Sequence, residues 1–255
     1  MTLFDSIIFG PVHSRRLGVS LGINLLPTTV KICTFNCIYC ECGWTETSDI
    51  KKAQFYPASE IRASLEKSLI YLNQQHIAID SITFAGNGEP TIHPQFTEII
   101  DDTIKLRDTY TPQSKISVLS NSTMLSKDTI VEALKKVNNI MKLDAGSERM
   151  FQLINKPKNS ITLKEIVENL KKFKGKLIIQ SMFVRGEMQG EIIDNTEETE
   201  IKAWLSHIQA INPAGVMIYS LDRRPPLAKL EKISEEELQL IADKVRQLNI
   251  KVNVY

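Results

Sequence analysis

The sequence lacks several features that define large protein classes. It has almost no net charge, since 31 basic residues are balanced by 30 acidic ones, so it has no global positive field of the kind that marks a non-specific nucleic-acid binder. It contains no apolar run that approaches the roughly 20 residues needed to cross a bilayer. Its first residues do not show the basic and then apolar pattern of a signal peptide. We therefore expect a cytoplasmic, reducing location without membrane contact.

Cysteine and histidine are also scarce, with four of each among the 255 residues. The histidines form no ligand pair with zinc-site spacing, and neither a hydrolase triad nor a P-loop is recognisable. The cysteines, in contrast, all fall within ten positions, as Cys33, Cys37, Cys40 and Cys42. In a reducing compartment, clustered cysteines are more often metal ligands or catalysts than disulfide partners.

Apolar strand patterns alternate with amphipathic helix patterns along the chain, which predicts an α/β fold with a parallel sheet. The length suits one barrel, and no linker-like or low-complexity segment divides the sequence. We expect one domain over residues 1–255. Its parts would be an N-terminal extension and first strand at 1–30, a cysteine loop at 31–44, the barrel at 45–230, and a C-terminal helix and strand at 231–255.

Local signals give more specific expectations. Residues 10–18 are predicted to form a Gly/Pro-bounded loop with two adjacent arginines, and residues 177–184 a single strand. The pairs Thr162/Glu165 and Ser234/Glu237 have the spacing of capping boxes that open helices.

Unusual polar or glycine-rich groups follow the predicted strands. They are the cysteines, residues 86–90, Asn121, Asp144, Arg185 and residues 222–224. The carboxyl ends of parallel strands build the active sites of barrels and open α/β sheets. We therefore expect these groups to face one another at one end of the fold.

Cys33, Cys37 and Cys40 have the spacing C-x3-C-x2-C. Thiolates are the usual ligands of iron–sulfur clusters, and three of them would leave one iron of a [4Fe–4S] cluster without a protein ligand. A structural zinc site would need a second ligand pair downstream, and unrelated buried or redox-active thiols are the other alternative.

This spacing, with the aromatic Tyr39 before the last cysteine, resembles the radical S-adenosylmethionine (SAM) superfamily. The resemblance implies a partial (β/α)6, TIM-like barrel, a [4Fe–4S] cluster held by Cys33, Cys37 and Cys40, and SAM bound at the free iron. It also implies reductive cleavage of SAM to a 5′-deoxyadenosyl radical, with an electron donor such as flavodoxin or ferredoxin.

A second motif, G-x-G-E-P at residues 86–90, resembles the family's G-G-E-P motif, which holds the methionine amino group. Here Asn87 separates the two glycines, so the motif reads G-x-G-E-P rather than G-G-E-P, a variant seen in some subfamilies. Asp144 is equally well explained as a loop or helix-cap residue. The cofactor-binding residues that the resemblance implies are Tyr39, Gly86, Asn87, Gly88, Glu89, Ser120, Asn121, Asp144 and Met182.

A narrower resemblance covers almost the whole chain. Residues 9–18, 142–146, 154–157 and 221–226 look like a group of bacterial and archaeal proteins related to wyosine-type tRNA modification enzymes. The wyosine synthases themselves use a second cluster, bound by cysteines upstream of the first. This chain has no cysteine before Cys33, so their two-cluster mechanism is not expected here.

Cys42 lies outside the three-cysteine motif. It is either a catalytic thiol, a hydrogen-atom donor or a ligand of an extra iron species, or a small residue packed under the loop. One further cysteine cannot hold a complete second cluster.

Two arginine pairs complete the candidate site, Arg15-Arg16 and Arg223-Arg224. They come from opposite ends of the chain, and a barrel brings its first and last strands together. Guanidinium groups suit phosphate or carboxylate groups, although pairing with acids such as Asp222 is the alternative. We expect an anionic substrate, with a nucleoside in tRNA first. The alternatives are a small metabolite or peptide as substrate, or a non-catalytic iron–sulfur electron carrier.

Overall fold

The protein is described by a computed structural model that covers residues 3–46, 54–222, 227 and 229–255. The strands are β1 Ile8–Ser14, β2 Gly18–Ile23, β3 Ser81–Phe84, β4 Lys115–Ser120, β5 Asn138–Lys142, β6 Ile178–Met182, β7 Val184–Met188, β8 Glu191–Asp194, β9 Gly215–Tyr219, β10 Leu230–Lys232 and β11 Val252–Val254. The α-helices are α1 Ala58–Gln74, α2 Phe96–Tyr110, α3 Asp128–Lys135, α4 Glu148–Asn155, α5 Leu163–Lys171, α6 Glu198–Ile211 and α7 Glu235–Arg246. A short 3-10 helix spans Pro90–Ile92.

The main sheet has the strand order β1-β2-β3-β4-β5-β6-β9-β11. All neighbouring strands from β2 to β11 are parallel, and β1 is an antiparallel edge strand. The sheet curls into a partial barrel, so the predicted α/β fold class is confirmed. The parallel arrangement places the carboxyl ends of the barrel strands at one end.

The helices pack on this sheet through apolar faces. In α1 that face consists of Ile61, Leu65, Leu69 and Leu72, all of them buried at helical spacing. Burial of each such side chain contributes about 1.5–3 kcal/mol of hydrophobic free energy. The helical spacing of the apolar residues in the sequence therefore determines which face of α1 packs against the sheet.

Buried hydroxyl groups hydrogen-bond between neighbouring barrel strands. Ser20 Oγ lies 2.7 Å from Thr83 Oγ1, and Ser81 Oγ donates to Ser117 Oγ at 3.0 Å. Buried polar groups are costly unless they are paired, and these pairs satisfy one another. The sheet thus has a polar stripe, although the strands that form it are largely apolar in sequence.

The predicted loop at residues 10–18 is wrong in part, because β1 continues through Pro11 and His13 to Ser14. The pairing of β1 with β2 shifts register between Phe9 and Val12. Proline has no N–H to donate to a strand ladder and is tolerated on an edge strand at such an irregularity. Only residues 15–17 remain between the two strands.

The predicted strand at residues 177–184 is divided in the structure. Strand β6 ends at Met182, and β7 then pairs with β8 and β10 in a separate three-stranded sheet. Arg185 therefore does not lie at a barrel strand end. It forms ion pairs with Asp194 at 2.7 Å and Glu237 at 3.0 Å, and these carboxylates hold it in the small sheet.

One of the two capping boxes forms completely. The Thr162 side chain accepts from the Glu165 backbone, and Glu165 accepts from the Thr162 backbone at 2.8 Å. At Ser234 the first half is present, since Ser234 Oγ accepts from Glu237 N. The Glu237 carboxylate is instead bound by Arg185, a long-range ion pair that the local sequence does not reveal.

Among the described residues, no helix is long and apolar enough to cross a membrane.

Candidate functional site

A cavity of about 250 Å³ lies at the carboxyl ends of the barrel strands. Many of the predicted strand-end groups meet there, which is what a parallel barrel requires. The predicted site residues that line it are Arg16, Cys33, Cys37, Tyr39, Cys40, Gly86, Gly88, Glu89, Ser120 and Asn121.

The cysteine loop is held on one side by the glycine-rich segment after β3. Ile32 forms a parallel bridge with Gly88, in which Ile32 N donates to Asn87 O and Glu89 N donates to Ile32 O. Gly88 has φ +141°, a conformation that side chains disfavour. The two motifs recognised in the sequence are therefore one hydrogen-bonded unit.

The other side of the loop is held by the end of α4 and the residues after it. Asn36 N donates to Asn155 O at 3.0 Å, and Ile38 N donates to Ile154 O at the same distance. Lys158 N donates to Thr34 O at 2.8 Å. Residues 154–158, most of which carried the narrower sequence resemblance, thus clamp the cysteine loop.

The three motif cysteines have different electrostatic settings. Burial raises the pKa of Cys33 to about 12 and also raises the pKa of Cys37. The pKa of Cys40 is lowered to about 5, first by its hydrogen bond with Cys42 and then by the charge of Lys31. Thiolates are the iron-binding form, so metal binding would release protons from Cys33 and Cys37.

A buried lysine stands beside these thiols. Lys31 is almost completely buried, and its Nζ donates to Gly43 O at 2.6 Å. Although burial acts to lower the pKa of Lys31, the charges of Cys40, Cys33 and Cys37 raise it overall. A buried cation is costly without counter-charges, and three thiolates would supply them.

The donor set fits a cluster better than a single ion. In the part of the chain that the structure describes, no three His, Cys, Asp or Glu side chains are grouped so as to hold one metal ion. In a [4Fe–4S] cluster each thiolate binds a different iron, so the sulfurs must line one space but need not converge on one point. Cys33, Cys37 and Cys40 meet that requirement.

Glu89 reaches from the glycine-rich segment to the end of β4. Its Oε1 accepts from Ser120 Oγ at 2.8 Å and from Thr91 N at 3.1 Å, and its Oε2 accepts from Asn121 N at 2.6 Å. Burial raises the pKa of Glu89, and these hydrogen bonds oppose the rise. The result is a fixed, buried carboxylate in the cavity wall, which suits the ammonium group of a ligand such as SAM.

Tyr39, Lys142 and Asp144 form one network beside the cysteines. Lys142 Nζ donates to Tyr39 Oη at 2.6 Å, and Tyr39 Oη donates to Asp144 Oδ2. Asp144 also accepts from Asn155 Nδ2 at 2.8 Å and from Met182 N at 2.9 Å. Its carboxylate is thus engaged by the protein and does not line the cavity, as expected for a loop-stabilising role.

The two arginines after β1 have different surroundings. Arg15 is exposed and pairs with Asp222 at 3.3 Å, which is the structural alternative that the sequence left open. Arg16 Nη1 donates to Gln180 Oε1 at 2.7 Å, and its guanidinium lies 4.5 Å from the Tyr219 ring centre. Arg16 forms no ion pair with an acid among the described residues. The first loop and the last barrel strands therefore approach each other as expected.

Arg16 also separates two spaces inside the barrel. It lines the cavity that holds the cysteines, and it lines a second cavity of about 650 Å³ at the amino ends of the strands. Because Arg16 comes from the loop before β2, it enters the barrel from the amino-terminal end. Its guanidinium forms the floor of the cysteine cavity.

Several predicted residues lie outside the cavity. Asn87 is buried and uses its side chain to bind the backbones of Phe4 and Pro27, and Met182 is not part of the lining. Cys42 Sγ donates to Gly86 O at 3.4 Å and does not line the cavity either. Two more predicted residues lie outside the described part of the chain, Arg223 and Arg224.

Several residues line the cavity without having been predicted as site residues. The apolar ones are Phe35, Ala85 and Leu119, and those with polar groups are Lys31, Lys142, Gln180 and Tyr219. Gln180 is a large polar residue within a largely apolar strand, and that anomaly was a usable signal. Tyr219 gave no comparable signal, because aromatic residues are common in strands.

The chain is similar to known proteins in sequence and in fold. The model of the radical SAM superfamily matches residues 28–198. The chain is 32% identical to the UPF0026 protein of Methanocaldococcus jannaschii over 232 residues, which cover 89% of this chain and 67% of that protein. It is 31% identical over 237 residues to a Brachyspira hyodysenteriae protein named GTPase Obg, covering 91% of this chain and 32% of that protein.

The chain thus spans about one third of one of these relatives and about two thirds of the other. Among solved structures, a radical SAM methyltransferase from Sphaerobacter thermophilus has a TM-score of 0.68 at 14% identity, covering 92% of this chain and 65% of that one. An archaeal TYW1 has a TM-score of 0.53 at 14% identity, covering 89% and 71%. At these identities the likeness to solved structures shows the fold.

Proposed function

The chain belongs to the radical SAM superfamily and is an enzyme of that class, and from this premise we propose that it cleaves SAM reductively at a [4Fe–4S] cluster. Cys33, Cys37 and Cys40 would hold the cluster. The observation that supports the proposal most directly is that these cysteines and the Glu89 carboxylate line one cavity. When bound, the cluster and SAM would supply a 5′-deoxyadenosyl radical that abstracts a hydrogen atom from the substrate.

The chain's own residues would bind, orient and shield these groups. The Glu89 carboxylate would bind the methionine ammonium, while Ser120 and the backbone N–H of Asn121 keep that carboxylate in place. Lys31 would balance the charge of the thiolates. The clamp at residues 154–158 would hold the cysteine loop against the barrel and limit the access of water from that side.

We assign an anionic substrate, with a nucleoside in tRNA as the first candidate. Arg16 supports an anion, because it lines the cavity and forms no ion pair with an acid among the described residues. A groove beside the cysteine loop supports a nucleic acid, since Trp44 lines it together with Lys156, Lys158 and Lys229, and these lysines outnumber the acids Glu46 and Glu187 there. Aromatic rings stack on bases, and lysines bind phosphates. The wyosine-related resemblance stays a prediction that agrees with this assignment.

A small anionic metabolite is the second candidate, and the position of Arg16 favours it. A guanidinium on the cavity floor would meet the far end of a small substrate, whereas the phosphates of a tRNA would stay near the mouth. An electron carrier is disfavoured, because it would have no use for a buried carboxylate such as Glu89 beside the cysteines. We further propose a flavodoxin or ferredoxin as electron donor and a cytoplasmic setting, consistent with four free cysteines.

The first experiment tests the chemistry. The protein is reconstituted anaerobically with iron and sulfide, reduced, and supplied with SAM, and 5′-deoxyadenosine is measured by mass spectrometry. We expect product from the wild type and none from Cys37→Ala. Equal amounts from both proteins, or none from an iron-loaded wild type, would refute the proposal.

The second experiment tests the substrate. Modified tRNA nucleosides and small metabolites are compared by mass spectrometry in cells with and without the protein. Loss of one modified nucleoside in the cells without the protein supports the tRNA assignment. An unchanged nucleoside profile with an altered anionic metabolite would replace it with the second candidate.

A further inference from the structure

Two asparagine side chains donate hydrogen bonds to the sulfur atoms of the proposed cluster ligands. Asn121 Nδ2 lies 3.5 Å from Cys33 Sγ, and Asn155 Nδ2 lies 3.5 Å from Cys37 Sγ. Asn121 follows strand β4 and Asn155 ends helix α4, so they approach the cysteine loop from two different elements. The backbone N–H of Phe35 is a further donor to Cys33 Sγ at 3.5 Å.

The orientation of the Asn121 amide is fixed by its other partners. Its Oδ1 accepts from Thr123 N at 3.1 Å and from Thr123 Oγ1 at 2.8 Å. Because a backbone N–H can only donate, the oxygen of the amide must face Thr123. The two hydrogens of Nδ2 are then available to Thr34 Oγ1 at 2.8 Å and to Cys33 Sγ.

The Asn155 amide is oriented by a carboxylate. Its Nδ2 donates to Asp144 Oδ2 at 2.8 Å, and an ionised carboxylate can only accept. The nitrogen must therefore face Asp144, and its second hydrogen is available to Cys37 Sγ. The backbone carbonyl of Asn155 also accepts from Asn36 N, so the residue is fixed relative to the cysteine loop.

The remaining motif cysteine, Cys40, has a different neighbour. It lines the cavity together with Lys31, whose Nζ donates to Gly43 O at 2.6 Å and which is a cationic side chain, whereas the asparagines are neutral. The asparagines that contact Cys33 and Cys37 come from elements far along the chain from the cysteine loop.

We infer that Asn121 and Asn155 are positioning residues that raise the reduction potential of the cluster. Reduction adds one electron, supplied by a one-electron donor protein, and increases the negative charge on the sulfurs. An N–H directed at a ligand sulfur stabilises the more negative state, and hydrogen bonds to sulfur are among the factors that set cluster potentials. The amides would therefore make the cluster easier to reduce.

The inference rests on the proposed function, because it requires a cluster on these cysteines. The test measures the midpoint potential of the reconstituted cluster by electron paramagnetic resonance at controlled potentials, in the absence of SAM. We expect lower potentials in Asn121→Ala and Asn155→Ala than in the wild type, and a still lower one in the double variant. Wild-type potentials in both single variants would overturn the inference, even where SAM cleavage is intact.

Asn139→Ala is the matched control. Asn139 is also a buried asparagine of the barrel, and its Nδ2 donates to Leu134 O at 3.0 Å. We expect a wild-type potential, since the loss of a buried amide that contacts no sulfur should not affect the cluster. A shift in this variant as large as in the other two would show that general loosening is the cause, and it would overturn the inference.

A measurement on the wild type covers the case in which the alanine variants bind no iron. The protein is labelled with 15N at the asparagine side chains, and hyperfine couplings of the reduced cluster are recorded by pulsed paramagnetic resonance. We expect 15N couplings from these side-chain nitrogens. Their absence in an iron-loaded wild type would overturn the inference, whereas a wild type that loads no iron would refute the proposed function.

Discussion

A Cβ atom on Gly88 would lie 1.8 Å from the carbonyl oxygen of Ile32. This is far below any van der Waals contact, and the obstacle is backbone that cannot rotate away. The same carbonyl accepts the hydrogen bond from Glu89 N, so a displacement would separate the cysteine loop from the Glu89 segment. We expect Gly88→Ala to lose iron binding on reconstitution and to unfold at a lower urea concentration than the wild type.

Gly190→Ala is the control for this variant. Gly190 also has a positive φ, +83°, but an added Cβ would meet nothing within 4 Å. We expect it to show only the strain of the backbone, about 1–3 kcal/mol, and to keep its iron. If this control lost iron to the same extent, contact with Ile32 would not be the cause of the loss in Gly88→Ala.

The different surroundings of Arg15 and Arg16 predict different effects of their removal. Arg15→Gln breaks an exposed ion pair with Asp222, which should cost less than about 1 kcal/mol and leave the product profile of cells unchanged. Arg16→Gln removes the cation from the cavity floor. We expect it to abolish the protein-dependent change in nucleosides or metabolites when each variant replaces the wild type in cells.

As controls, Arg15→Gln, Arg16→Gln and the wild type must reach equal protein levels in the cells and unfold at equal urea concentrations. A wild-type product profile with Arg16→Gln would show that this guanidinium does not bind the substrate, whatever the substrate is.

Cys42 is predicted to be dispensable for the cluster. Its sulfur lies outside the cavity lining, 3.4 Å from Gly86 O, and acts on Cys40 through the hydrogen bond that lowers the pKa of that cysteine. A serine hydroxyl can make the same hydrogen bond, so we expect Cys42→Ser to bind as much iron as the wild type and to cleave SAM. Iron content and 5′-deoxyadenosine are measured side by side.

The other interpretation of Cys42 gives a distinct result. If it were a hydrogen-atom donor to the product, Cys42→Ser would still form 5′-deoxyadenosine but would lose the product detected in cells. Reduced iron content in the variant would instead indicate a ligand.

The capping box at the start of α5 predicts a pH-dependent effect on stability. The pKa of Glu165 is lowered by its hydrogen bonds from the Thr162 backbone and side chain. A carboxylate with a depressed pKa in the folded state stabilises the fold above its unfolded pKa, and that contribution is lost as the pH falls through the folded value. Thr162→Ala should lower the free energy of unfolding by about 1 kcal/mol at neutral pH. In acid, the free energies of unfolding of the variant and the wild type should differ by less.

Urea unfolding at neutral and acidic pH checks this expectation. Ser147→Ala is a useful comparison, because Ser147 Oγ caps α4 by accepting from Met150 N at 3.1 Å and the third residue of that helix carries no carboxylate. An identical acid dependence in both variants would argue against the capping box as its origin.

Those parts of the fold and site that depend on local pattern could be predicted from the sequence. The alternation of strands and helices gave the parallel sheet, and the cysteine spacing with Glu89 gave the core of the site. Each of these signals lies within a few residues of chain. The period of the apolar residues and the spacing of the cysteines are sufficient to read the sheet and the three-cysteine motif, and the resemblance of residues 86–90 to a family motif supplied Glu89.

The remaining features depend on contacts between distant segments. Arg16 meets Gln180 and Tyr219 only when the sheet curls, and nothing near Arg16 in the sequence shows that it differs from Arg15. The hydrogen bond from Asn155 to Cys37 likewise joins residues 118 positions apart. Asp144, in turn, is occupied by donors from three other segments, which a single sequence does not reveal.

Because Arg16 forms the floor of the cysteine cavity, it limits how far the chain can be truncated from its amino-terminal end without loss of function. The family model matches residues 28–198, a range that omits Arg16 and strands β2, β9 and β11. A fragment made to those limits would keep every cysteine and Glu89 but would lose the strands at both edges of the barrel. The cysteine cavity of such a fragment would be open at its floor and along two sides. We therefore expect a minimal functional fragment to begin before β1 and to extend past β9.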